Sequence, residues 1–159
     1  MDPELAGRLR ALFATQTVAS LGTLHEGEPF VSMVPFALLP DGLGFAIHVS
    51  ALAGHTRDML AHPQVSLLVM APPSPEVSAQ ALARVTVQGD AARIPDDAPV
   101  HAVAKAAYLA RFPQSAQTFA LGDFALFAIR PKLARFVGGF AQAKTIGPEG
   151  LAEILGASA

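Results

Sequence analysis

The sequence contains no cysteine. That excludes disulfides, thiolate nucleophiles and sulfur-ligated metals, and it fits a chain kept in a reducing cytosol, so a cytoplasmic location is expected. Charge is also scarce: 15% of residues are charged, the formal net charge is −2 and the pI is about 6.2. No basic run of about five or more residues occurs, so nucleic acid is not expected as a partner. Apolar runs are short and broken by Gly, Pro or Asp, far below the ~20 residues that cross a bilayer, and no membrane association is expected. The opening MDPELAGRLRALF is acidic and then mixed in charge, which is not the pattern of a secretory leader. There is no Gly-x-Ser-x-Gly, no His-x-His, no His-Glu-x-x-His and no βαβ unit with a glycine-rich phosphate loop. A hydrolase triad, a metal centre and a doubly wound dinucleotide domain are therefore not expected.

What is present is apolar material. Hydrophobic residues make up 52% of 159, enough for one domain over 1–159 with a real core and a buried subunit interface. Asp2-Pro3 reads as an N-cap followed by a first-turn proline, and Leu5, Leu9, Leu12 and Phe13 give one apolar helical face, which predicts a helix over 3–15. Strands are expected at Thr17–Leu24, Phe30–Leu39, Leu43–Val49, Gln64–Ala71 and Ala81–Ile94, then in DFALFAIRP and KLARFVGGF. HEGEP and PDG read as hairpin turns. Ser50 is placed to cap a helix running to His62, a second helix is expected over Val100–Ala110, and a short one over about 148–155. About six mostly antiparallel strands with three or four peripheral helices favour a closed or split barrel, over about 17–146, rather than a doubly wound sheet.

Four stretches carry candidate chemistry. SALAGHTRDML sets Ser50, His55, Thr56 and Arg57 around the start of a helix, where free N–H groups and the helix dipole favour a phosphate. Plain helix capping is the competing reading. In FVSMV, Ser32 is a lone hydroxyl among apolar neighbours. Arg84, Thr86 and Gln88 share one face of a strand, either toward a ligand or toward solvent. Gly138-Gly139 marks a bulge or a close backbone approach. The histidines, His25, His48, His55, His62 and His101, form no metal-ligand spacing.

In their order and spacing, ASLGTLHEGEPFVSMVPF, HVSALAGHTRDMLAHPQVSLLV, RVTVQGDA, YLARFPQSA and FVGGFAQA resemble the FMN-binding split barrels related to pyridoxamine 5′-phosphate oxidase, and most closely their haem-utilisation branch. The resemblance implies a mainly β, six-stranded antiparallel split barrel. It implies a homodimer with FMN in the groove between subunits. Val31, Ser32, Met33 and Val34 would line the isoalloxazine and ribityl chain. Ser50, His55 and Thr56 would hold the FMN phosphate, with His55 where the oxidase has Lys, and Ala51 and Leu52 would also bind the cofactor. Arg84, Gly139 and Phe140 would lie near the flavin, and Tyr108, Arg111 and Ser115 near a substrate phosphate.

The departures shape the expected reaction. The Tyr108-to-Arg111 gap is one residue shorter than in the oxidase, Phe36 replaces a substrate lysine, and GGFAQAKTI stands in place of an Arg-x-His signature. Pyridoxamine phosphate oxidation is not expected. The main expectation is an FMN-dependent oxidoreductase acting on an unidentified small substrate. The alternatives are a haem-binding or haem-degrading protein on the same barrel and a non-catalytic flavin-binding dimer. A haem would need an axial ligand; no histidine follows His101, and His25, His48 and His62 stay open for that role.

Overall fold

The computed structural model describes residues 2–156; Met1 and residues 157–159 of the expected single domain lie outside them. Asp2 Oδ1 accepts the Glu4 N–H at 2.9 Å, and Pro3 fills a first-turn position whose N–H has no intrahelical partner. Helix α1 (Pro3–Thr15) therefore starts where the sequence sets it. Its stripe of Leu9, Leu12 and Phe13 is buried.

Strands β1 (Val18–His25) and β2 (Glu28–Pro35) form a hairpin. Glu26 and Gly27 at its tip both have positive φ, 52° and 83°, the two-residue geometry whose twist matches the strands. Then follow β3 (Ala37–Leu39), β4 (Gly44–Ser50), α2 (Gly54–Ala61), β5 (Gln64–Met70), β6 (Arg84–Arg93), α3 (Pro99–Arg111), α4 (Ala116–Phe119), β7 (Phe124–Val137), β8 (Ala143–Ile146) and α5 (Pro148–Gly156). Every pairing is antiparallel, and the order is β2-β1-β5-β6-β7-β4-β3 with β8 alongside β7. The two ends of that order, β2 and β3, are consecutive in the chain. The sheet curls until its ends meet, which makes it a split barrel.

The sheet has eight strands, and they differ from the expected ones at three places. The expected strand Phe30–Leu39 breaks at Phe36. Pro35 has no N–H to give, and the Phe36 N–H turns to the Thr17 carbonyl at 3.2 Å. The Phe36 ring drops into the core, 6.3 Å from the Phe13 ring and 5.9 Å from that of Phe45. The two strands expected at the C-terminal end are one, β7. Its Pro131 sits opposite Gly89, where the β6–β7 register shifts, so the missing donor falls at a bulge. Finally, AKTI returns as β8 after the Gly138–Gln142 turn.

A second core lies outside the barrel. Ala104 and Tyr108 of α3, with Phe112 just after it, pack on Ala37, Leu39, Ala46, Ile94 and Leu126. Among the described residues no helix is long and apolar enough to cross a membrane.

Gly89 lets the bulge close: a Cβ there would lie 2.4 Å from the Arg130 carbonyl oxygen. Gly89→Ala is expected to lower stability by about 2 kcal/mol through overpacking, read from the urea midpoint at unchanged m-value.

Candidate functional site

Period-two alternation puts Ala19, Leu21 and Thr23 of β1 on the inward face, with His25 next in that row at the barrel rim. Helix α2 lies over this end and brings Asp58 against it. Asp58 is only 5% exposed. A carboxylate there must be paired. Thr23 Oγ1 donates to Oδ2 at 3.0 Å, and His25 Nδ1 donates to Oδ1 at 2.8 Å. Burial alone would push the Asp58 carboxyl up. The hydrogen bonds from His25 and Thr23 and the charges of His25 and Arg57 outweigh it and hold the carboxyl below its usual range. The hydrogen bond to Asp58 and its charge raise the His25 imidazole above 6.5. The outer nitrogen, Nε2, has no hydrogen-bond partner among the described residues. The side chain is 51% exposed, and the Phe30 ring lies 5.9 Å away.

The helix also joins two of the stretches the sequence singles out. His55 Nδ1 is 3.1 Å from Ser32 Oγ of β2. Burial lowers the His55 pKa, which favours the neutral ring. Along β2, Val31 and Met33 point outward and are 66% and 62% exposed, whereas Val34 is buried in the core. Val34 can line a ligand only through its backbone.

The expected phosphate cradle is rearranged. Ser50 closes β4 and does not cap α2, whose N-cap is Ala53. Ser50 Oγ accepts the Leu52 N–H at 3.1 Å and donates to Asp123 Oδ2 at 3.2 Å. The Thr56 hydroxyl donates to the Ser50 carbonyl at 2.7 Å, so its single donor is already used. Leu52 is exposed. Ala51 and Thr56 do border a cavity of about 270 Å³, together with Arg93 and Asp123. One cation and one carboxylate face it.

The remaining expected residues scatter. The Arg84 guanidinium bonds back to the Gln80 and Leu82 carbonyls at 3.1 and 3.0 Å. Gly139 and Phe140 form the β7–β8 turn, where Phe140 is exposed. The nearest chain to that turn is α1: Arg8 bonds Gln142 Oε1 at 2.7 Å and the Gly138 carbonyl. Tyr108 is buried in the second core, with a hydrogen bond to Ser115. Arg111 turns away from both. It donates to the Phe13 carbonyl at 2.9 Å and to the Gln16 carbonyl, and it covers the Phe36 ring at 5.0 Å. It fastens α3 to the end of α1. His48 is buried against Phe119, with ring centroids 3.7 Å apart, and burial pushes its pKa down to about 4. Asp58, Thr23, Arg93 and Asp123 carry the site's electrostatics and were not singled out in the sequence. The available signal was Thr23-x-His25 at strand period, facing the acid of HTRD. Among the described residues no group of three His, Cys, Asp or Glu gathers as a metal site.

In an NMR titration His25 is expected to titrate above 6.5 and to return toward that value in Asp58→Asn. The sign follows from linkage. The His25 contribution to stability is complete below 6.5 and is lost as pH rises through the raised value. The Asp58 contribution is present above 3.8 and is lost as pH falls through the depressed value.

Comparison with known proteins agrees with this architecture. Residues 5–138 match the family described as pyridoxamine 5′-phosphate oxidase. The chain is 40% identical over 119 residues, 75% of its length, to the chloroplastic non-canonical heme oxygenase HOZ of Arabidopsis thaliana, but spans only 35% of that protein. It is 28% identical over 131 residues to the heme oxygenase HutZ of Vibrio cholerae, covering 82% of this chain and 73% of HutZ. A heme binding protein from Mycobacterium smegmatis superposes with a TM-score of 0.84 at 32% identity, over 96% of this chain and 61% of that one. The barrel, its order of strands and the match over residues 5–138 establish that this chain belongs to the pyridoxamine 5′-phosphate oxidase family.

Proposed function

We propose that this chain is a haem-binding member of its family and that haem, rather than FMN, is the ligand it favours. The observation that carries the reading is the run of relatives above: two are named as heme oxygenases and one as a heme binding protein. Haem degradation is the activity class this suggests.

The site's chemistry supports the choice. A flavin phosphate is a dianion and needs net positive charge. The cavity beside Thr56 offers Arg93 against Asp123, and the hydroxyls of Ser50 and Thr56 are engaged. Haem asks for an apolar enclosure and an axial donor. The donor set fits it: histidine nitrogen and apolar side chains beside β2. When bound, haem supplies the iron at which oxygen chemistry takes place; this chain's residues hold it, orient it and shield it from water.

A homodimer belongs to the same reading. Val18, Val31 and Met33 are exposed on the outer face of β1 and β2, with Val31 opposite Gly22 and Met33 opposite Ser20. Such a face suits a second copy, with the ligand where the copies meet. An FMN-dependent oxidoreductase is the second reading, favoured by the 270 Å³ cavity with Thr56 and Arg93 on its wall. Pyridoxamine phosphate oxidation is part of neither, since Arg111 is tied to α1.

Parallel titrations of purified protein with hemin and with FMN test the choice. Saturable hemin uptake with a Soret band that survives gel filtration is expected, at an affinity at least about tenfold above that for FMN, or about 1.4 kcal/mol. Hemin uptake without saturation, beside stoichiometric retention of FMN, would reverse the assignment.

A further inference from the structure

We infer that His25 is the axial ligand of the haem iron, through Nε2, and that Asp58 is the residue that positions it. The inference rests on the haem reading above and names the donor within it.

Five histidines are present, and their surroundings separate them. His48 is buried and stacked on Phe119, with Thr118 Oγ1 3.3 Å from its Nδ1. A planar macrocycle cannot reach it without displacing the second core. His55 has Nδ1 against Ser32, and among the described residues no carboxylate hydrogen-bonds its ring. His101 has Nε2 3.5 Å from Asp96, so the nitrogen an iron would take is already engaged. His62 is exposed at the end of α2 with no carboxylate behind it. His25 alone combines an anchored Nδ1 with a partner-free, half-exposed Nε2.

The anchoring is what makes it a ligand rather than a surface histidine. A metal-bound imidazole commonly gives its other N–H to a carboxylate, which fixes the tautomer and makes the ligating nitrogen a stronger donor. Here the carboxylate is Asp58. It is buried, and Thr23 holds it from the other side, so it cannot swing away. With the Nδ1 proton directed at Asp58, the lone pair of Nε2 points off the barrel rim. Phe30 flanks it and supplies an apolar face for a porphyrin edge.

The test compares hemin-loaded wild type, His25→Gly, Asp58→Asn and the control His62→Ala by absorption and electron paramagnetic resonance. Thermal melts of the apoproteins confirm that each variant folds. His25→Gly is expected to change the Soret position and spin state and to release hemin at least about tenfold faster. Added imidazole should restore the wild-type spectrum in that variant and leave His62→Ala unaffected. Asp58→Asn keeps the imidazole but weakens its donor strength, so the reduction potential of its iron should move upward. It serves as the deciding variant if His25→Gly proves unstable. A His25→Gly spectrum identical to wild type, or an unmoved potential in Asp58→Asn, would overturn the assignment while leaving haem binding intact. Failure of wild type itself to take up hemin saturably would overturn the haem reading and this inference with it.

Discussion

Asp58 is the constraint around which the functional end of the barrel is built. A carboxylate 5% exposed in a chain with so little charge has to be met by donors at close range. Among the described residues two side chains meet it by hydrogen bonds, Thr23 and His25, both in the inward row of β1. That pairing sets where α2 sits on the barrel. The position of α2 in turn brings His55 against Ser32 of β2 and lays Thr56 against the end of β4. Met59, buried in the core, and Thr56, bonded to the Ser50 carbonyl, hold the same helix. The same demand for compensation leaves His25 with one nitrogen fixed and the other exposed, which is the arrangement a metal ligand requires.

The start and the middle of α2 differ in their electrostatics. At its start, the turn that could cradle a phosphate has closed on itself: hydroxyls bond to backbone and to Asp123, and one guanidinium is balanced by one carboxylate. Toward its middle, a buried anion raises the basicity of an exposed imidazole. On the haem reading proposed above, the iron would gain from the second what an anionic cofactor lacks at the first.

Much of the fold was legible in the sequence. The Asp2-Pro3 start of α1, the Glu26-Gly27 turn and the shared face of Arg84, Thr86 and Gln88 follow from short-range rules, and all stand as read. What failed were features decided by distant partners. Phe36 breaks a strand because Phe13 and Phe45 take its ring. Pro131 stays inside a strand because Gly89, remote in sequence, forms the bulge opposite it. Ser50 reads as a cap, yet α2 starts only after Ala53, and the Ser50 hydroxyl accepts the Leu52 N–H and donates to Asp123. The site was half legible for the same reason. SALAGHTRDML drew notice for its hydroxyls and cations, while its acid, Asp58, matters through residues of β1 that no local pattern connects to it. Arg111 was assigned to a substrate phosphate, and it binds the carbonyls at the end of α1 instead.

The most direct test of the account is a crystal structure of the protein grown with hemin and FMN supplied together. The account predicts a tetrapyrrole at the α2 end of the barrel, beside β2, with Nε2 of His25 as the protein atom bonded to iron. An FMN seated with its phosphate in the cavity bordered by Thr56 and Arg93, and no haem in the molecule, would contradict it.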